Sequence, residues 1–554
     1  MIKKIIFEDN HFHSTYSDGS FTLQQIFDYN QLHDWLDLTI TDHVNKNTNW
    51  FHDYVAEIKE LRKKYNNFSV KIGCEVKIID ESGELNTTDQ ILNSAEVIIG
   101  VVHCFFGIQS LTPEELIKKE FILTKLLAQN KKINILGHPF SMSTRFFKTD
   151  IPDSYVREVY ELCVKNSIKL EYNKKTSPLS VRNLVISEIA KGNINNFSFG
   201  SDTHHYLREM GNSAFDVVDP VNVLITGAGA GVSQSIIKAV KLSPVRTNII
   251  AVDSNYRSAG LFVSNSSYIV PFCNSNDYIP KIIEICHKEK IDLIFIGTDV
   301  ELTTLSEHKK EIESQTNATV VVSNLEAINI ANDKWQTFEF LKNVGFPYPK
   351  TWQAKDLNLI VFPAVVKPRV GARSIGVSLA ENMDELNRIV GKITDPIIQE
   401  YLSDDDHEYT CSGFFYEGEC YGVICAQRWL RNGDTYKAYF CHDIELEEFI
   451  KKVGEELNIT GPCNFQLRKT EDGPKIFEIN CRFSGTTGAA SFLGFNIVNA
   501  LIQKMVFGRE LHYLDFNDSL MLRYWNEIFV DPQEAKKLES NGKLNTVHGK
   551  INIF

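Results

Sequence analysis

Five short apolar runs in the first 205 residues each end on side chains able to ligate a metal. WLDLTITDH ends in Asp42 and His43, and VKIGCE in Glu75. AEVIIGVVH ends in His103, INILGHP in His138, and FSFGSDTH in Asp202 and His204. Each run is rich in Ile, Val, Leu or Phe and about four to eight residues long, as expected of a buried strand. Helix-like stretches such as DYVAEIKELRKKY and PEELIKKEFILTKLLAQ lie between them. Strands alternating with helices predict a parallel barrel. The C-terminal strand ends of such a barrel face its active site, and that is where these donors stand. Upstream, HFHSTYSDGS adds His11, His13 and Asp18. One histidine at a strand end is more often a hydrogen-bonded structural residue than a ligand, but independent strand ends rarely all carry His, Asp or Glu.

The length of 554 residues predicts about two to four domains. Apolar content of 43% and charged content of 23% are those of a globular protein. A net charge of −13 disfavours nucleic acid as a general partner and leaves a local basic patch open. Eleven cysteines with no CxxC pair fit reduced thiols, which predicts a cytoplasmic protein. The apolar stretch in MIKKIIFEDN is too short for a signal peptide, and no apolar run is long enough to span a membrane. Nine of the fifteen histidines precede residue 206. The seam is read in YLREMGNSAFDVVDP, residues 206–220, between this histidine-rich part and a fresh strand-like start, VNVLIT.

HFHSTYSDG, TDH, GCE, VVH, GHP and SDTH, in this order, resemble the motifs of the PHP family (polymerase and histidinol phosphatase) over about residues 5–205. The resemblance implies a distorted (β/α)7 barrel that holds two or three metal ions and hydrolyses phosphoesters. It implies that His11, His13, Glu75 and Asp202 hold one metal. Glu75, His103 and His138 would hold a second, with Glu75 bridging, and Asp18, His43 and His204 a third. It gives His205 no role. Imidazole and carboxylate donors suit Zn²⁺, Mn²⁺ or Fe²⁺, and the sequence does not choose among them.

After the seam, VNVLITGAGAGVSQSIIKAVKLS reads as strand, glycine turn and helix. Gly227, Gly229 and Gly231 form GxGxG, short of the dinucleotide GxGxxG, and Asp253 ends the strand NIIAVD. Later residues favour a plain βα turn. No GxxxxGK(S/T) occurs, so a Walker-type site is excluded. Lys334 opens a helix in NDKWQTFEFLKNVG, and PAVVKPRVGARSIGVSLA carries Lys367 into a loop with Gly371, Ser374 and Gly376. Loop amides and two ammonium groups can hold a triphosphate. IIQEYL follows with Glu400, Tyr401 and Leu402, then Glu408.

CNFQLRKTEDGPKIFEINCRFSG reads as a hairpin around EDGP. Glu478 and Asn480 share a strand face. An odd loop length places Gln466 opposite Glu478, whereas a two-residue loop brings Leu467 there. Pro474 cannot donate a ladder hydrogen bond, which fits the longer loop. Three oxygen donors on one face suit Mg²⁺.

Together these segments resemble the ATP-grasp superfamily, near its carbamoyl-phosphate-synthase-like and carboxylate–amine ligase members, over about residues 220–500. The resemblance implies that Lys334 and Lys367 contact ATP phosphates, Glu400 and Leu402 flank the adenine, and Glu408 holds the ribose. Gln466, Glu478 and Asn480 would bind Mg²⁺, Arg482 would stabilise the transferred phosphate, and Arg428 is a candidate for a substrate carboxylate. Cys411 stands where related chains often carry an acidic residue.

The reading is a multidomain α/β chain: residues 1–210 a PHP barrel, 218–330 a Rossmann-like pre-ATP-grasp domain, 331–510 an α+β ATP-grasp domain, and 511–554 an extension with no role assigned. It implies an ADP-forming ligase that joins a small carboxylate to an amine, fused to a phosphoesterase. A nucleotide-sensing module gating a nuclease-like barrel is the alternative. The sequence leaves substrates and self-association open.

Overall fold

The computed structural model describes residues 7–33, 36–65, 68–103, 108–371, 375–402, 408–431, 433–524, 526–545 and 550–551. The chain divides into two units, Met1–Asp219 with Pro244–Arg246, and Pro220–Ser243 with Thr247–Phe554. No helix among the described residues is long and apolar enough to cross a membrane.

In the first unit, Glu8–Phe12 (β1), Asp37–Ile40 (β2), His43–Val44 (β3), Val70–Lys77 (β4), Val97–Val101 (β5), Ile135–Leu136 (β6), Lys169–Tyr172 (β7) and Phe197–Phe199 (β8) form one parallel sheet. Its path runs in chain order, with β3 paired to β4 off the path. Backbone bonds from Asp202 N to His11 O (2.9 Å) and from His13 N to Thr203 O (3.2 Å) tie the segment after β8 back to β1, so the sheet closes on itself. Helices cover it as the periodicity predicts. Phe51–Lys64 buries Phe51, Tyr54, Ile58 and Leu61, one stripe at helical spacing. Pro113–Ala128 starts at a capping box in which Thr112 and Glu115 satisfy each other's backbone N–H.

In the second unit, Val221–Ile225 (β9), Thr247–Asp253 (β10), Ser266–Ile269 (β11), Leu293–Phe295 (β12) and Thr319–Val321 (β13) form a parallel sheet in the order β13-β12-β9-β10-β11. The glycine turn after β9 is closed from within: Gly229 N donates to Asp253 Oδ2 at 2.7 Å. This is the plain βα turn, with the acid at the end of β10 engaged by the loop itself. Thr351–Gln353 (β14), Ala364–Pro368 (β15), Ser378–Ala380 (β16) and Pro396–Glu400 (β17) form an antiparallel sheet in the order β14-β17-β15-β16. Glu408–Tyr416 (β18), Glu419–Arg431 (β19), Asp434–Phe440 (β20), Gly461–Thr470 (β21), Gly473–Asn480 (β22) and Ser519–Leu522 (β23) form another, in the order β22-β21-β18-β19-β20-β23.

The hairpin β21–β22 corrects one expectation. Thr470 pairs with Gly473, so the turn is the two residues Glu471 and Asp472, not a longer loop. Pro474 stands inside β22 opposite Lys469, on the outermost strand of the sheet, where a missing donor is tolerated. Gln466 nevertheless faces Glu478, because Phe477 bulges out of the ladder and shifts the register by one.

Residues beyond 510 complete both larger sheets of this unit. β23 pairs with β20, and Lys543–Asn545 pairs antiparallel with β11. Between them, helix Pro532–Asn541 buries Leu538 against Ala228, Ala251, Leu261 and Phe262. Leu538→Ala is expected to destabilise the second unit by about 2–5 kcal/mol; urea unfolding read from the intact chain and the variant measures it.

Candidate functional site

In the first unit the strand ends bring their donors together. His11 and His13 flank Phe12 at the end of β1, and Glu75 lies in β4. Glu75 is buried and meets five imidazoles: His43 Nδ1, His13 Nε2 and His11 Nε2 lie 2.6, 3.5 and 3.6 Å from Oε2, and His103 and His138 Nε2 lie 2.8 and 3.1 Å from Oε1. Asp202 Oδ1 is 3.2 Å from His13 Nε2 and 3.7 Å from His11 Nε2. Asp18 reaches His43 Nε2 at 3.5 Å and His204 Nε2 at 3.3 Å. Four overlapping groups can each hold a metal ion: His13, Asp18, His43 and His204; His11, His13 and Asp202; His11, Glu75 and His138; His43, Glu75 and His103.

Buried polar atoms without a hydrogen bond show that the donor set fits such ions. They are His11 Nε2, both ring nitrogens of His13, and Glu75 Oε2. They have ion-pair contacts within the donor set but no hydrogen bond, which is costly in a dry interior, and a cation between them repays it. Backbone strain marks the same place: His138 and Asp202 hold left-handed backbone at φ 22° and 51°.

A second layer aims these donors. Glu171 Oε1 lies 2.8 Å from His11 Nδ1, which turns Nε2 of that ring toward the centre. The other oxygen of Glu171 accepts from His138 N. Gly200 makes room for this carboxylate, since a Cβ there would stand 2.1 Å from Glu171 Oε1. Asp42 accepts from Ser14 and Ser17, backbone and hydroxyl, and so shapes the loop that carries Asp18. His205 holds Ser20 Oγ at 2.7 Å. Burial would raise the Glu75 carboxyl, but His11, His103 and His138 hold it well below the carboxylate range. Burial would lower His138, but its hydrogen bond to Glu75 lifts it to about 9. Burial holds His13 below its ordinary value.

In the second unit, residues of β15, β17, β18, β19, β21 and β22 line a cleft of about 370 Å³. Val365, Ile375, Val377, Leu379, Leu402 and Leu430 give it apolar walls. Two buried ammonium groups stand in it. Lys334 Nζ donates to Gly371 O at 2.9 Å; Lys367 Nζ donates to Gln399 Oε1 at 2.7 Å and to Phe477 O at 3.4 Å. Burial, with Lys334 nearby, pushes Lys367 down to about 7. Glu400 pairs with Lys475 at 2.8 Å. Glu408 is clamped by Arg428 at 2.8 Å on one oxygen and by Arg468 at 2.9 Å on the other. Gln466 accepts from Arg428 at 2.8 Å and donates to Glu478 at 3.4 Å, and Asn480 donates to Glu478 at 3.1 Å. A carboxylate and two carboxamides on one hairpin face are donor types that suit a Mg²⁺ ion, although both amide nitrogens are turned to Glu478 and Gln466 Oε1 to Arg428.

The cleft thus gathers Lys334, Lys367, Gly371, Glu400, Tyr401, Leu402, Glu408, Arg428, Gln466 and Glu478 of the residues expected from sequence. Ser374 lies outside the described residues. Gly376, Asn480 and Arg482 do not line the cleft. Arg482 instead makes a two-pronged ion pair with Asp299, at 2.7 and 3.0 Å. Cys411 is buried in the apolar core with Cys425 opposite. Sequence reasoning missed Glu171, Gln399, Arg468 and Lys475. IKLEY, a short apolar run holding an acid, carried the same signal as the other strand ends and marks Glu171; the remaining three have no signal short of the sheet register.

Residues 223–321 match the family model described as PylC-like, N-terminal domain, and residues 331–486 match the ATP-grasp domain model. The chain therefore contains an ATP-grasp domain. A carbamoyl-phosphate synthase from Methanobrevibacter smithii is 28% identical over 164 residues, 28% of this chain and 40% of that protein. The DNA polymerase/3'-5' exonuclease PolX of Bacillus subtilis is 27% identical over 184 residues, 31% of this chain and 30% of that protein. The chain spans less than half the length of either relative. Among solved structures, an L-amino acid ligase from Bacillus licheniformis is similar with a TM-score of 0.42 at 14% identity, over 52% of this chain and 75% of that one.

Two outcomes are expected at this candidate metal site. Glu171→Gln weakens divalent metal binding about 10- to 100-fold, read by titration of metal-stripped protein. Metal affinity also rises with pH from about 6.5 to about 9. His138, raised to about 9, keeps its proton in the metal-free protein through this window, and a metal must displace that proton. Affinity that is flat across the window would contradict the assignment.

Proposed function

We propose that the chain is a bifunctional enzyme, an ADP-forming carboxylate–amine ligase fused to a PHP-type metal-dependent phosphoesterase. The observation that carries the ligase is the convergence of two buried ammonium groups, Lys334 and Lys367, on one cleft with the acid Glu478. The match of residues 331–486 to the ATP-grasp domain supports it.

On this reading the apolar walls take the adenine beside Glu400, Tyr401 and Leu402, and Glu408 takes the ribose. Lys334 and Lys367 hold the phosphates. Gln466, Glu478 and Asn480 hold Mg²⁺, which neutralises charge on the phosphoryl group when bound. A substrate carboxylate oxygen attacks the γ-phosphorus, ADP leaves, and an amine displaces phosphate from the acyl phosphate to give an amide. Lys367 stabilises the charge that builds on the transferred group, and Arg482 does so once it turns from Asp299.

In the first unit, His11, His13, Glu75 and Asp202 hold one ion, Glu75, His103 and His138 a second, and Asp18, His43 and His204 a third, of Zn²⁺, Mn²⁺ or Fe²⁺. Bound there, such ions supply the Lewis acidity that phosphoester hydrolysis needs. The similarity to a 3'-5' exonuclease supports a second reading, in which the ATP-grasp domain binds nucleotide and gates a nuclease-type first unit.

ADP release from ATP and Mg²⁺, against carboxylates paired with amino acids and ammonia, tests the ligase. Release that needs one pair and falls about 100-fold in Lys367→Ala and Glu478→Ala is expected; release unchanged in both variants sinks it. Loss of bound metal and of phosphomonoester hydrolysis in Asp202→Ala with His204→Ala is expected of the first unit. Nucleotide release from single-stranded DNA, with no carboxylate-dependent ADP, would favour the second reading.

A further inference from the structure

Lys367 is a buried ammonium whose hydrogen-bond acceptors are both neutral, a side-chain amide and a backbone carbonyl. A buried cation usually sits against an acid. Here the nearest side-chain acceptor is Gln399, and the sheet explains why.

On β17, Gln399 stands directly opposite Thr351 of β14 and Val365 of β15, while Lys367 stands opposite Ile397. Gln399 and Lys367 are therefore diagonal neighbours on one face, within reach of long side chains. Ala364, Val366 and Ile398 point the other way, into an apolar cluster. Gln399 and Lys367 both line the cleft.

The orientation of the Gln399 amide is also fixed. Thr351 Oγ1 donates to Pro349 O at 2.9 Å, so its hydroxyl proton is used. It can then only accept from Gln399 Nε2, at 3.0 Å. That bond leaves Gln399 Oε1 facing Lys367. The chain Pro349–Thr351–Gln399–Lys367 is directional from end to end.

We propose that Gln399 is a positioning residue: it holds the Lys367 ammonium toward the triphosphate by a neutral acceptor, which offsets none of the ammonium's charge and so leaves that charge to the phosphates. An acid at this position would orient the lysine equally well but neutralise it. This rests on the ATP-binding reading of the cleft.

The test compares Gln399→Glu, Gln399→Ala and Thr351→Val with the wild-type full chain. Binding of adenosine, ADP and ATP is measured by calorimetry with Mg²⁺ present. Gln399→Glu is expected to weaken ATP at least about ten-fold and ADP less, with adenosine changed less than about two-fold. Gln399→Ala weakens ATP by a few-fold, and Thr351→Val changes it in the same direction by less. The ladder with ligand charge separates positioning from structure. Equal losses for adenosine, ADP and ATP would mean that Gln399 only holds the sheet together and would overturn the proposal. So would Gln399→Glu binding ATP as tightly as wild type. Wild-type protein that binds adenosine but not ATP, or neither, defeats the nucleotide reading itself, and the proposal with it.

Discussion

A carboxylate buried among imidazoles organises the first unit. Glu75 cannot lie in a dry interior as an isolated anion, and His43, His103 and His138 cannot crowd one point unless something negative or metallic holds them there. The parallel sheet delivers these groups. Each strand runs toward the same end, so a donor at each C-terminal end lands on one rim. Closure of the sheet through His11 O and Thr203 O brings the first and last of those ends together, which is how residues so far apart in the chain share one centre.

The cleft of the second unit solves a related problem with the opposite sign. Lys367 is a buried cation, and the strands around it offer amide and carbonyl oxygens where an acid would be simplest. Two of the cleft's acids are engaged by basic side chains, Glu408 by two arginines and Glu400 by Lys475. Charge is thus sorted within one cavity: Glu408 and Glu400 are compensated by basic side chains, Glu478 accepts from two carboxamides, and the lysines and Glu478 are left for a ligand. Stability alone does not call for such an arrangement, because an unpaired buried ammonium is destabilising.

Much of this was legible before any coordinates. His43, Glu75, His103, His138, Asp202 and His204 announced themselves because strand ends repeat a local pattern, apolar run then donor, that survives without tertiary knowledge. Glu171 followed the same pattern more quietly, inside its run. What the sequence could not yield depended on register. The turn at Glu471–Asp472 is shorter than Pro474 suggested, and only the bulge at Phe477 restores Gln466 to Glu478. Gln399 and Arg468 reach the cleft because of which strand lies beside which, and Arg482 turns to Asp299 because residues distant in sequence meet. Pairing across strands is a non-local fact, and no periodicity encodes it.

The pairing of Lys543–Asn545 with β11 has a consequence for how the molecule is made. β11 is complete once residue 269 has been synthesised, yet its outer neighbour arrives only after residue 545. At ribosomal speed that interval is on the order of tens of seconds. During it the nascent sheet carries a bare edge of unpaired amides and carbonyls, the kind of surface that recruits foreign strands. The closing strand is therefore a latch fitted last.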